Sequence, residues 1–336
     1  MISYPWPTPP RAGGLLDVAP GITWLRMPLP FKLDHINLWV LEDGDGWTVV
    51  DTGVGLEETR ALWDAALGGP LAGRPVTRVV VTHFHPDHMG NAHWLAARAG
   101  AHVWCAQAEW LTAQLAARSA GDLERRLAHF RRHGIDDEGL AALRGRANHY
   151  PGLVPSVAPH YRAVRDGDTL VIGGRRWETL TVLGHSPEQI VLHAPDAGVL
   201  IAGDQVLPRI TTNVGVWPDQ PFADPLRLYL DSLARFRPMA ADTLVLPSHG
   251  LPFRGLHARL DALARHHEDR LARTLAVLDA PRTAAEVMTV LFQGDLDAHQ
   301  LTFAVGETLA HLHRLEAEGR AVGRADADGR VRFARR

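Results

Sequence analysis

Thr82-His83-Phe84-His85-Pro86-Asp87-His88-Met89-Gly90 places four imidazole or carboxylate side chains at positions 83, 85, 87 and 88. The stretch comes directly off Thr77–Thr82, a β-branched run that reads as a strand. It leads into helical spacing from about Met89 to Arg98, closed by Gly100. It therefore sits at a strand end, where polar side chains gather along a sheet edge. His83 and His85 alternate, so in an extended loop both face one point. Asp87 and His88 lie where the chain turns into the helix and face a second point. Neutral imidazole and carboxylate suit zinc, and iron or manganese with less preference. Four ligand-type residues do not close two sites, so further ligands have to come from elsewhere.

They occur at matching places. Gly184-His185-Ser186 follows Thr179–Leu183, Gly203-Asp204-Gln205 follows Val199–Ala202, and Ser248-His249-Gly250 follows Thr243–Pro247. Strand ends along one sheet edge are where sites of α/β type collect. The glycine beside each candidate lets the backbone approach a metal closely. Scattered surface histidines are the plainer explanation. Order, spacing and strand-end placement weigh against it.

Outward from these points, Ile22–Met27, Asn37–Glu42 and Trp47–Asp51 read as strands, with a hairpin turn at Asp43-Gly44-Asp45-Gly46. Gly55 to Leu67 has helical spacing. Thr169–Ile172, Arg176–Val182, Gln189–His193, Val199–Ala202 and Thr243–Leu246 read as strands, and Pro225–Phe236 as a helix. From Leu256 the texture changes to helix (Leu256–Leu278), helix (Ala284–Leu291), helix (Leu301–Glu318) and a hairpin around Asp328-Gly329. That is the order of a winged-helix module, which puts a boundary near 255–260.

With these residues in view, the chain resembles the metallo-β-lactamase-fold superfamily: H-x-H-x-D-H after a strand, then a His, an Asp and a His downstream. The resemblance covers residues 1–255. It implies an α+β fold, an αββα sandwich with two metals at one edge, and a small, mostly helical, winged-helix-like domain over 256–336. It assigns His83, His85 and His185 to one metal, Asp87, His88 and His249 to the other, and Asp204 to a bridging place. The metal pair supplies hydroxide at neutral pH, with Asp87 also orienting it or carrying its proton. Asp51, in Val50-Asp51-Thr52-Gly53, matches a family position that supports a ligand through a hydrogen bond; a plain turn-forming Asp is its rival. His85 stands where redox di-iron relatives carry Glu. Asp204 is present where many β-lactamases of the fold lack it, and the one cysteine, Cys105, lies away from the ligand positions. The ligand set is similar to that of glyoxalase-II-like thioesterases, lactonases, phosphodiesterases and RNA-processing relatives.

Composition narrows the classes. Apolar residues at 46% and charged ones at 22% are ordinary for a soluble globular chain, and a net charge of −3 offers no global basic field for nucleic acid or an anionic membrane. One cysteine rules out an intrachain disulfide, no apolar run reaches membrane-span length, and Met1–Gly14 lacks the order of a signal peptide. A cytoplasmic setting is expected.

The segment 106–150 reads as a helical insertion with Arg118, Arg125, Arg126, Arg131, Arg132 and His133 at helical intervals. A solvated face is the plainer view; a lid that selects substrate through Arg, His or Tyr150 is the sharper one. Arg209, Asn213 and Trp217 follow the bridging Asp closely and are well placed to line the pocket, with plain loop packing as an equal rival. The tail carries Arg314, Arg320, Arg324, Arg330, Arg332, Arg335 and Arg336, interleaved with Glu307, Glu316, Glu318, Asp326 and Asp328, so interaction, homodimer formation or packing on the catalytic domain is favoured over nucleic acid. His266-His267 reads as a polar helix face. The expected function is hydrolysis of a small-molecule thioester, ester or lactone by two divalent ions, with zinc as the default and iron or manganese as alternatives. A phosphodiesterase or ribonuclease, a β-lactamase, and a binding module that keeps a metal without catalysis are the competing readings.

Overall fold

The computed structural model describes residues 1–118, 123–145 and 149–336. Seven strands form the first sheet in chain order: β1 (Leu15–Ala19), β2 (Ile22–Pro28), β3 (His35–Asp43), β4 (Gly46–Val50), β5 (Val76–Val80), β6 (His102–Cys105) and β7 (Tyr161–Ala163). β1 to β4 are antiparallel and β4 to β7 parallel. The second sheet has the order β12-β11-β10-β9-β8, from β8 (Thr169–Ile172), β9 (Arg175–Val182), β10 (Gln189–Ala194), β11 (Val199–Gly203) and β12 (Leu244–Pro247).

Period-2 side-chain alternation builds the layers. Trp39 and Leu41 of β3 pack with Trp24, Ile190, Leu192 and Ile201 between the sheets. The alternate residues Ile36, Leu38 and Val40 face the helices Glu57–Gly68 and Ala92–Ala99, through Trp63 and Leu95. On the second sheet Val191, Leu200 and Ala202 face the opposite way, against the helix Pro225–Ala234. The result is the expected order of helix, sheet, sheet, helix.

The C-terminal part has three helices, Leu256–Ala276, Ala284–Leu291 and Ala298–Ala317, and a two-stranded hairpin, β13 (Ala321–Ala325) with β14 (Val331–Arg335). Thr283 with Glu286 and Asp297 with Gln300 form capping boxes, which fix where the second and third helices start. The third thus begins at Ala298, three residues before the apolar spacing suggests. Its core is continuous with that of the sandwich: Val245 and Phe253 lie in one apolar cluster with Leu260, Val287, Leu309 and Phe333. Leu127, Phe130, Ile135 and Leu140 of the insertion belong to the same cluster. The insertion therefore rests its apolar face on the C-terminal helices; residues 119–122 and 146–148 of it lie outside the described residues. His266 and His267 do not form a polar face: His267 is fully buried, 3.3 Å from His311 Nε2. Among the described residues, no helix is long and apolar enough to cross a membrane.

Candidate metal centre

Each sequence-predicted ligand leaves a strand end on the same edge. His83, His85, Asp87 and His88 follow β5, His185 follows β9, Asp204 follows β11 and His249 follows β12. The structure brings all seven together in two groups, His83 with His85, His185 and Asp204, and Asp87 with His88 and His249. In the first, His83 Nε2 lies 2.9 Å from His85 Nδ1 and 3.2 Å from His185 Nε2. In the second, Asp87 Oδ2 lies 3.3 Å from His249 Nε2 and 3.6 Å from His88 Nε2. Asp204 stands between them. Its Oδ2 is 3.4 Å from His185 Nε2, and its Oδ1 is 3.4 Å from His249 Nε2 and 3.6 Å from His88 Nε2.

The donor set fits a divalent cation. Three imidazoles are anchored through Nδ1, which leaves Nε2 as the inward lone pair. His88 Nδ1 donates to Asp51 Oδ2 at 2.8 Å, His185 Nδ1 to the Asn213 carbonyl at 2.8 Å, and His249 Nδ1 to the His35 carbonyl at 2.8 Å. This outer anchoring is how metal-binding histidines are oriented. His88 Nε2 and Asp204 Oδ1 are buried and have no hydrogen-bond partner among the described residues. A cation between them would satisfy both.

The electrostatics divide the cluster. Burial, with the neighbouring His185, drives His85 down to about 3, and burial with the other imidazoles holds His83 well below the usual range. His88 and His249 go the other way. Burial opposes their charge, but the carboxylates around them win: Asp51, Asp87 and Asp204 raise His88 well above its ordinary value, and Asp204 and Asp87 raise His249 to about 10. Asp87 falls to about 2 against its own burial because His88 and His249 face it. Without a cation, the second group thus holds protons where positive charge belongs.

Several positioning residues gave little signal in sequence. Asp51 was anticipated: it has φ 63°, and accepts from the Thr82 amide at 2.8 Å and the Thr82 hydroxyl at 2.9 Å as well as from His88. Glu109 was not. Its fully buried carboxylate accepts the Phe84 amide at 2.8 Å, the Ser186 hydroxyl at 2.8 Å and the Glu188 amide at 2.6 Å, tying the His83–His85 loop to the His185 loop. Asn37, also buried, donates to the Pro247 and Gly250 carbonyls at 2.9 Å each and so holds both sides of His249. Gly184 has φ 101°, and a Cβ there would meet the Pro225 carbonyl at 2.6 Å. Its bareness serves the approach of a helix to the His185 loop.

The residues expected to line a pocket separate. Tyr150 donates its hydroxyl to the Phe84 carbonyl at 2.6 Å and stacks on the Phe84 ring, bracing the ligand loop. Asn213 contributes its carbonyl to His185. Arg209 is exposed and lies over the Tyr4 ring. Trp217 packs edge-on against Phe303, Phe303 against His299, and His299 stacks on Phe31. Phe31 and His299 border an open cleft of about 670 Å³, formed with Pro30, Lys32, His149 and Leu153. Lys32 is the sole lysine of the sequence.

A family model described as the metallo-beta-lactamase superfamily matches residues 32–249, and one described as a metallo-beta-lactamase-like C-terminal domain matches residues 271–336. The crystal structure of a beta-lactamase domain protein from Burkholderia ambifaria is 46% identical, with a TM-score of 0.94, and the match covers 100% of this chain and 98% of that one. A linear primary-alkylsulfatase from a Pseudomonas species is 27% identical over 246 residues, 69% of this chain and 44% of that protein. An acyl-coenzyme A thioesterase from Bos taurus is 26% identical over 193 residues, 55% of this chain and 63% of that protein. The chain thus spans about half the length of these two relatives.

Proposed function

This chain belongs to the metallo-beta-lactamase superfamily, and on that premise we propose that it is a binuclear metal-dependent hydrolase of a thioester, ester or lactone. In this reading His83, His85 and His185 would hold one ion and Asp87, His88 and His249 the other, with Asp204 placed between the two groups. The observation that carries it is the disposition of Asp204, whose two oxygens face the two groups of imidazoles at 3.4 Å on either side. Zinc is the default, because it is undemanding in geometry and takes imidazole readily, with iron or manganese as alternatives; the chemistry such ions would supply there is an activated water and Lewis acidity toward an acyl carbonyl.

The chain's own residues do the rest. Asp87 holds or passes on a proton at its carboxylate, beside His249 Nε2. Asp51, Asn213 and His35 keep the imidazoles aimed inward. The aromatic wall of Phe31, His299, Phe303 and Trp217 receives the apolar part of the substrate. The likeness to an acyl-coenzyme A thioesterase supports an acyl substrate. The likeness to an alkylsulfatase favours a sulfate ester as the second reading. A nucleic-acid substrate has less support, because Arg314, Arg320, Arg330 and Arg332 of the tail are each paired with an Asp or Glu.

The deciding experiment is metal content per chain, measured together with hydrolysis of a thioester, ester, lactone, sulfate-ester, phosphodiester and β-lactam panel. Near two ions per chain and turnover of an acyl substrate that His85→Ala abolishes are expected. No acyl turnover above His85→Ala after reconstitution would defeat the proposal.

A further inference from the structure

Away from the candidate metal centre, the insertion carries His129 and His133, four residues apart and hence on one helix face. The His133 amide bonds back to the His129 carbonyl at 3.2 Å, so the helical turn continues to it. The two ring centroids are 4.7 Å apart, with the planes at 64°. The pairs His83–His85, His83–His185 and His85–His185 stand at 4.6, 4.9 and 4.6 Å, also edge-on. The outer pair therefore has the spacing and mutual tilt of the inner ligand cluster.

Both outer rings are buried, His129 to 9% and His133 to 6% exposure, and His129 Nε2 and His133 Nδ1 have no hydrogen-bond partner among the described residues. Orphaned buried nitrogens cost free energy that a bound cation would recover. A third imidazole, His313 of the helix Ala298–Ala317, is near enough for its charge to act on both rings. Its Nδ1 donates to the Ala223 carbonyl at 2.9 Å, which leaves Nε2 as the lone pair, the anchored form seen in metal-binding histidines. Burial, then the neighbouring imidazoles, hold His129 at about 4 and His133 at about 3, so both rings are neutral donors at physiological pH.

We propose that His129 and His133, with His313, form a further divalent-metal site that fastens the helical insertion to the C-terminal module. An imidazole set takes zinc, nickel or copper in preference to magnesium or calcium. Among the described residues, the clusters of three or more donors already within 4.8 Å of one another are the two at the catalytic edge. His313 accordingly closes onto the preformed pair when the ion enters. The ion then adds to the apolar contacts of Phe130 and Ile135 within the C-terminal core, and to the hydrogen bond that the Ala285 amide donates to the His133 carbonyl at 3.0 Å.

The test strips the full-length protein with a chelator and titrates it with Ni²⁺ or Zn²⁺, reading stoichiometry by calorimetry and elemental analysis and stability by thermal melting. Wild type is expected to take up one equivalent more than His133→Gln, with a further rise in melting temperature that the variant lacks. His313→Gln is expected to keep the extra equivalent at an affinity at least ten-fold weaker. His133→Gln is expected to hydrolyse substrate as wild type does. Repeating the titration on His129→Gln guards against a folding defect peculiar to one variant. Equal stoichiometry and affinity in wild type, His133→Gln and His129→Gln would overturn the proposal. Because the measurement is a difference, it stands whatever the catalytic cluster binds.

Discussion

Arg259 Nη2 donates to the Ile210 carbonyl at 2.6 Å, and the same guanidinium reaches the Leu207 carbonyl through Nε at 2.5 Å. Arg259 belongs to the first C-terminal helix and is 7% exposed, whereas Leu207 and Ile210 bracket the turn that follows Asp204. The planar fork of arginine suits two diverging carbonyls, and a lysine does not reproduce it. Arg259→Leu leaves both carbonyls unpaired and should lower stability by about 2–4 kcal/mol, with a fall in kcat/KM as the turn loosens. Arg259→Lys should recover less than half of the loss. Chemical denaturation and steady-state kinetics on the three proteins check this.

Asp51→Asn should weaken both metal binding and the metal-free fold. Asparagine tolerates the positive φ at this position, but its amide does not offer two acceptor oxygens to His88 and Thr82. Metal affinity should drop by about 10–100-fold, and the metal-free protein should also unfold more readily, because there Asp51 is the buried partner of the charged His88. Competition against a chromogenic chelator measures the first quantity, and melting of the stripped protein the second. An unchanged affinity would mean that Asp51 is only a turn residue.

Glu109→Ala removes the acceptor for three donors from two ligand loops. A loss of roughly 10²-fold in kcat is expected, since a small misplacement of catalytic groups has costs of that order. Glu109→Gln keeps one acceptor oxygen and should fall between. Metal stoichiometry at saturation should remain that of wild type in Glu109→Gln, which distinguishes misplacement from loss of the ions.

Metal loading should release protons. In the metal-free protein the carboxylates Asp204 and Asp87 overcome burial and hold His249 charged up to about pH 10, and His88 is raised as well. Entry of a cation must expel those protons, so affinity rises with pH below that value. Loading at pH 7 in weak buffer should release at least one proton per chain. A pH-stat reading of zero would contradict this assignment of charge.

Glu307 gives a stability prediction of defined sign. Burial outweighs Arg270 and lifts its pKa to about 7 from the usual 4.5, and its Oε1 has no hydrogen-bond partner among the described residues. The folded state therefore favours the protonated form. The stabilisation is complete below about pH 4.5 and is lost as pH rises through about 7. Glu307→Gln should thus gain on wild type as pH goes from 4.5 to 8, by about 1–3 kcal/mol, in urea denaturation at the two pH values.

Much of this was legible in the chain. The seven ligand-type residues announce themselves because they come just after four apolar runs, and strand ends on one sheet edge must converge. The strands β1 and β7 were not legible. Leu15–Ala19 and Tyr161–Ala163 are short outer strands held by their neighbours, with too few residues to show alternation. Glu109 looked like an ordinary acidic residue in a first helical turn; only the fold brings the Phe84 and Glu188 amides to it. The insertion was legible in part. Arg118, Arg125, Arg126, Arg131 and Arg132 are exposed, as a solvated face requires, whereas the arginine pattern did not announce that Leu127, Phe130 and Leu140 between them belong to the C-terminal core. His267 likewise becomes a core residue only once the helix Ala298–Ala317 brings His311 to it.

The arginine-rich composition leaves one more consequence at the cleft. With Lys32 as the sole lysine and its side chain exposed on the loop between β2 and β3, an amine-directed fluorophore or cross-linker has one side-chain target in the folded protein, besides the chain's amino terminus. That target borders the cleft formed with Phe31 and His299. Attachment there makes the native sequence its own reporter of that cleft, with no engineered cysteine and no change to the seven ligand-type residues.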